Sequence, residues 1–167
     1  MAIKGARAEL NSISAHLLVS NGQQAVEFYQ KAFGAQLLYS SPLPGGFGLH
    51  AHMKFGNSVF MVTDAFPEER RPEGWPASPQ NIKTTTVIVE LLVEDADAFA
   101  KRAVEAGAKV KLPIDDSFWG DRYGWLEDPF GHIWAVASVK EEITPDEVDK
   151  RMNEYMARMQ SQKQQNK

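Results

Sequence analysis

The chain has 167 residues, 43% hydrophobic and 24% charged, with a net charge of −4 at pH 7. That is enough for one domain with a proper core, and the negative balance gives no electrostatic reason to expect nucleic acid as a partner. No apolar run is long enough to span a bilayer, and the absence of cysteine excludes disulfides, thiolate metal sites and a cysteine nucleophile.

Met1-Ala2-Ile3-Lys4-Gly5 lacks the apolar core of a signal peptide, so the sequence reads as cytoplasmic. Ala15-His16-Leu17-Leu18-Val19 reads as a strand. Asn21 is placed to cap a helix and Gly34 to end it, with Val26, Tyr29, Ala32 and Phe33 at helical spacing between them. Three strand-like runs follow, near 36–39, at 50–55 and at 58–62, the last two joined by Gly56-Asn57 as a tight hairpin.

The pattern then repeats. Residues 87–93 read as a strand, Asp95 caps a helix with Phe99, Ala100, Ala103 and Val104 on its apolar face, and Gly107 ends it. A strand near 109–112 precedes a second hairpin, 119–137, turning at Asp128-Pro129-Phe130-Gly131. Val19 corresponds to Val93 at an offset of 74 residues, and Gly34 to Gly107 at an offset of 73. This is an internal duplication in which each half reads βαβββ.

The expected fold is therefore α+β, two βαβββ modules forming a curled eight-stranded mixed sheet around a cleft. One domain covers 1–143, with modules at about 12–63 and 84–139 and a Pro- and Gly-rich linker at 64–83. Thr144-Pro145-Asp146-Glu147 opens a C-terminal helix over 144–160. Its Met152, Tyr155, Met156 and Met159 form a stripe suited to packing on the body or on a partner subunit. The polar tail 161–167 reads as disordered.

Four stretches, "AVEFYQKAFGA", "HAHMKFGNSVFMVTD", "VEDADAFAKRAVEAGA" and "WGDRYGWLEDPFGHIWAVA", resemble in order and spacing the vicinal oxygen chelate superfamily, which comprises the glyoxalases, bleomycin resistance proteins and extradiol dioxygenases. They look like its PhnB-like branch. The resemblance covers roughly residues 12–140 and implies a homodimer, often with each cleft shared between subunits. In metal-dependent members, histidine, glutamine and glutamate ligands come from the first and last strands of each half. Aligned on the strand ends and hairpins, those positions fall at Ser14, Met61, Ile88 and Ala135. None is a normal ligand for a hard divalent ion, so no metal is expected there and no cofactor is expected.

Strand alternation then asks which side chains share the face of those four positions. If Met61 opposes His52 and Ala135 opposes Gly124, the cleft set is His16, His50, His52, Thr63, Glu90 and Arg122. Glu90 and His16 are the candidate catalytic pair. Apolar neighbours argue that Glu90 is buried, either in an ion pair with Arg122 or a histidine or as a general acid or base; the remaining reading is a plain edge-strand glutamate facing solvent. His50, His52, Thr63, Trp119, Arg122 and Tyr123 are the candidate ligand-binding residues; the histidines could also hold a divalent metal at a displaced site. His132 reads as structural, and Trp75 as packed in its loop or as a lid over the cleft mouth. Function divides between a small-molecule-binding or sequestering protein and a lyase or isomerase using Glu90 with a histidine as an acid–base pair. A third role is association through the tail helix. The partners expected are a small-molecule ligand and a second copy, with neither nucleic acid nor membrane.

Overall fold

The computed structural model describes residues 11–165. The segment read for a signal peptide and the last two residues of the expected tail lie outside them. Strand β1 (His16–Val19) leads into helix α1 (Gly22–Phe33), then β2 (Gln36–Pro42), β3 (Leu49–Phe55) and β4 (Ser58–Asp64). After the linker and its short helix α2 (Pro79–Ile82), the order recurs as β5 (Ile88–Leu92), α3 (Ala96–Glu105), β6 (Lys109–Asp116), β7 (Asp121–Glu127) and β8 (Ile133–Val139). Both long module helices start as their caps dictate. Asn21 Oδ1 accepts from the Gln24 N–H at 3.0 Å, and Asp95 Oδ1 from the Ala98 N–H at 2.9 Å.

The two modules form two four-stranded mixed sheets, ordered β1-β4-β3-β2 and β5-β8-β7-β6. The eight strands thus divide into two sheets that do not close on each other. In each, the first strand runs parallel to the last. His16 pairs with Met61 and Glu90 with Ala135, so the duplication is reproduced at the level of single residue pairs.

Apolar faces of the helices and sheets make one core. Tyr29, Ala32 and Phe33 of α1, Phe99 and Ala103 of α3, and Trp134 of β8 are all buried. Arg102 Nε donates to the Ala32 carbonyl at 2.8 Å and ties the two helices together. His132 Nε2 lies 3.0 Å from the Leu18 carbonyl and joins the second hairpin to β1.

The two hairpins differ in a way that decides the site. The first closes as expected. Gly56 has φ 55° at the leading turn position, Phe55 opposes Ser58, and His52 opposes Met61. The second has a longer loop. Glu127 opposes Ile133, the Asp128 N–H donates to the His132 carbonyl at 3.0 Å, and Gly131 sits at φ 88°. The three residues Pro129-Phe130-Gly131 form the loop, not a two-residue turn. Ala135 therefore opposes Trp125, and Gly124 opposes Val136. The expected pairing of Ala135 with Gly124 is off by one residue, which turns every β7 side chain to the other face.

The C-terminal helix α4 (Pro145–Gln165) extends past the end expected at 160. It meets the body through the Tyr155 ring, 5.7 Å from that of Phe118, and through the Arg151–Glu141 ion pair. Met152, Tyr155, Met156 and Met159 are otherwise exposed. Among the described residues no helix is long and apolar enough to cross a membrane.

Candidate functional site

The first sheet carries its polar side chains on the face away from α1. Leu17, Val19, Phe60 and Val62 are buried on the helix side. The alternate residues His16, Leu18, Met61 and Thr63 face the other way, with His50 and His52 opposite Thr63 and Met61. Their side chains are linked in a row. His16 Nε2 lies 2.6 Å from Thr63 Oγ1, His50 Nδ1 lies 2.7 Å from the same oxygen, and His50 Nε2 lies 3.0 Å from His52 Nε2. His16 is exposed, and His52 is 2% exposed. Burial, and then the neighbouring His52, hold the His16 imidazole below its ordinary pKa. The ring at the open end of the row is thereby kept neutral near pH 7.

His16 and Thr63 line a cavity of about 910 Å³. Its walls are Leu18, Leu43, Pro44, Phe47, Phe66, Trp75 and Pro76. The rings of Phe47 and Phe66 meet at 5.1 Å, and those of Phe66 and Trp75 at 5.2 Å edge to face. Trp75, read from the sequence as loop packing or a lid, is a cavity wall that stays half exposed. Asp64 fixes the geometry on one side. Its Oδ1 accepts from the Gly22 N–H and its Oδ2 from the Leu49 N–H, both at 2.8 Å. Gly48, at φ 102°, lies so close to this carboxylate that an added Cβ would collide with it.

The structure thus brings His16, His50, His52 and Thr63 together. The remaining sequence candidates are elsewhere. Glu90 does not line the cavity. It lies exposed on the second sheet, and among the described residues its carboxylate has no hydrogen-bond or ion-pair partner. Burial was expected from its apolar neighbours, but Ile88 and Leu92 on the same face are exposed too. Arg122 faces the helices because of the shifted hairpin. It binds Asp97 of α3 at 2.7 Å and Asp116 at 3.1 Å, so it pairs with neither Glu90 nor Asp121. Trp119 Nε1 donates to Asp121 at 2.9 Å, and its ring lies 5.0 Å from that of Tyr123, also outside the cavity. Phe47, Phe66 and Leu43 were missed; the sequence signal was apolar side chains set in "PLPGGFG" and in the proline-rich linker.

Ser14, Met61, Ile88 and Ala135 do not fit a divalent ion. Ser14 precedes β1, and its buried Oγ has no partner among the described residues. Met61 offers a soft thioether, and Ile88 and Ala135 offer no donor. Nor is any group of three or more His, Asp or Glu among the described residues arranged to hold a metal.

Two βαβββ modules with these registers define a member of one large group of proteins, and comparison agrees. Residues 10–136 match the model of the glyoxalase/bleomycin resistance protein/dioxygenase superfamily, and the chain belongs to that family. Rv0887c, an uncharacterised protein of Mycobacterium tuberculosis, is 37% identical over 142 residues, covering 85% of this chain and 82% of the relative. The crystal structure of TioX from Micromonospora sp. ML1 superposes with a TM-score of 0.59 at 25% identity, covering 77% of this chain and 98% of that one. The Arabidopsis thaliana AT5G48480 product gives 0.57 at 27% identity, covering 77% and 98% respectively.

Proposed function

We propose that this chain is a PhnB-like member of the family that binds and sequesters a small molecule in the first-module cavity, without transforming it. One observation carries the reading: an aromatic-walled cavity of about 910 Å³ is lined by His16 and Thr63, the outer members of a row of linked histidines, while the superfamily's ligand positions hold no suitable donors. Apolar concavities with a few placed polar groups are the usual form of small-molecule sites. The acid–base alternative needs Glu90 beside His16, and within one chain they occupy different sheets.

The working form is a cytoplasmic homodimer. Ile88, Leu92 and Val139 leave the second sheet's open face apolar and exposed around Glu90, and such a face is suited to a second copy.

The test is a panel of neutral aromatic compounds screened by thermal shift and by quenching of Trp75 fluorescence, with recovery of each compound for mass spectrometry. The reading predicts stabilisation by mass action and recovery of unchanged ligand. A compound returned chemically altered, or a panel that never shifts the protein, would overturn it.

A further inference from the structure

The linked histidines have a direction, and the direction specifies what the cavity recognises. A neutral imidazole carries one N–H and one lone pair, and a hydroxyl has one proton to donate. Three arrangements of protons satisfy all three contacts of the row with neutral rings, and one of them, in which His50 Nδ1–H and His16 Nε2–H both donate to Thr63 Oγ1, leaves the hydroxyl proton with no acceptor among the described residues. Two remain. In one, His52 Nε2–H donates to His50 Nε2, His50 Nδ1–H donates to Thr63 Oγ1, and the Thr63 hydroxyl donates to His16 Nε2. In the other, every donor is reversed, and His52 must carry its proton on Nδ1.

The inner end of the row chooses between them. His52 is 2% exposed, and its Nδ1 is buried with no hydrogen-bond partner among the described residues. A buried N–H without an acceptor is among the rarest features of folded proteins. The reversed arrangement requires one; the first leaves a lone pair there instead. With the first arrangement in place, His16 accepts at Nε2 and must hold its own proton at Nδ1. That ring nitrogen makes no hydrogen bond among the described residues and belongs to a residue that lines the cavity.

Building on the sequestration reading, we propose that His16 Nδ1–H donates a hydrogen bond to an acceptor oxygen on a flat, uncharged, largely apolar ligand held against Phe47, Phe66 and Trp75. The cavity supports an uncharged ligand. No Lys or Arg lines it, and the one carboxylate that does, Asp64, is occupied by the Gly22 and Leu49 N–H groups. Arg70, over the Phe47 ring at 5.8 Å, is not part of the lining, so within the lining an anion would find no cation and a cation no free carboxylate.

Three naphthalene probes of similar shape test this: 2-acetylnaphthalene carries the acceptor, 2-ethylnaphthalene lacks it, and 2-naphthoate is charged. By Trp75 quenching, the ketone binds the wild-type protein roughly five- to tenfold more tightly than the hydrocarbon, the increment of one buried hydrogen bond, and also more tightly than the anion. In His16→Phe the preference for the ketone over the hydrocarbon is lost. Thr63→Val, which frees His16 to change tautomer, narrows the difference. Independently of any ligand, long-range ¹H–¹⁵N correlation places the proton on Nδ1 of His16 and His50 and on Nε2 of His52. Equal affinities for ketone and hydrocarbon in the wild type, or a proton on Nε2 of His16, overturn the donor assignment while leaving sequestration standing. If no naphthalene probe binds at all, the cavity reading itself fails and the donor assignment fails with it.

Discussion

The Tyr29 hydroxyl donates to Asp128 Oδ2 at 2.6 Å, across 99 residues of chain. The same oxygen accepts from Trp134 Nε1 at 2.9 Å, while Oδ1 takes the Phe130 N–H at 2.9 Å and the His132 N–H at 3.0 Å. Asp128 is 3% exposed and, among the described residues, has four donors and no cation. A buried carboxylate survives when its oxygens are fully hydrogen-bonded. This one both sets the loop of the second hairpin and locks it to the first-module helix. Burial first, and then Asp128, raise the Tyr29 pKa well above its ordinary value of 10.0.

Asp128→Asn keeps the shape but replaces an acceptor oxygen with an amide that cannot accept, so two of the four bonds are lost. Denaturant unfolding is expected to show a loss on the order of 2–4 kcal/mol, with Tyr29→Phe costing less because only one bond goes. An unchanged midpoint for Asp128→Asn would show that the network contributes nothing.

The lowered His16 pKa gives stability a pH dependence. The unfolded ring protonates near its ordinary value of 6.5, whereas the folded one resists to lower pH. The unfolded state therefore binds more protons in that window, and stability falls as pH drops below 6.5. Comparing wild type with His16→Phe across this range isolates the effect, since the variant lacks the group. Parallel pH curves for the two proteins would contradict the assignment.

Gly48→Ala places a methyl group against the Asp64 carboxylate at a backbone φ of 102°. The expected result is a lower melting temperature together with weaker binding of cavity probes, because Asp64 holds α1 and β3 at the cavity edge. Gly46→Ala, also at positive φ but with open space around it, should show the backbone strain without the loss of binding.

Arg122 joins α3 to the end of β6 on the helix side of the second sheet, and it does not line the cavity of the first. Arg122→Gln is expected to lower stability slightly, with the deficit shrinking at high salt as exposed ion pairs do. Probe binding should stay at the wild-type level. Lost binding in a folded variant would return Arg122 to the ligand site.

Leu92→Glu puts a charge on the exposed face of the second sheet, beside Val139 and Ile88. Light scattering should report a dimer for the wild type and a monomer for the variant. A wild-type monomer would remove the second copy from the proposed working form.

The sequence by itself determined the two modules, their helices and caps, the first hairpin register and hence the shared face of His16, His50, His52 and Thr63. These follow from local chemistry: period-2 and period-3.6 patterns, Asn21 and Asp95 as caps, and a two-residue turn at Gly56-Asn57. Tertiary structure decided the rest. The second hairpin's register depended on the loop that the Asp128 carboxylate organises, and its Oδ2 is engaged by Tyr29 from the other module; no local turn rule contains that contact. One added loop residue sent Arg122 to the helices. Whether the apolar neighbours of Glu90 buried it depended on what covered their sheet, and the periodicity of a strand cannot distinguish a covered face from an open one. The cavity walls, too, come from Phe47, Phe66 and Trp75 in irregular segments, whose placement is fixed by contacts distant in sequence.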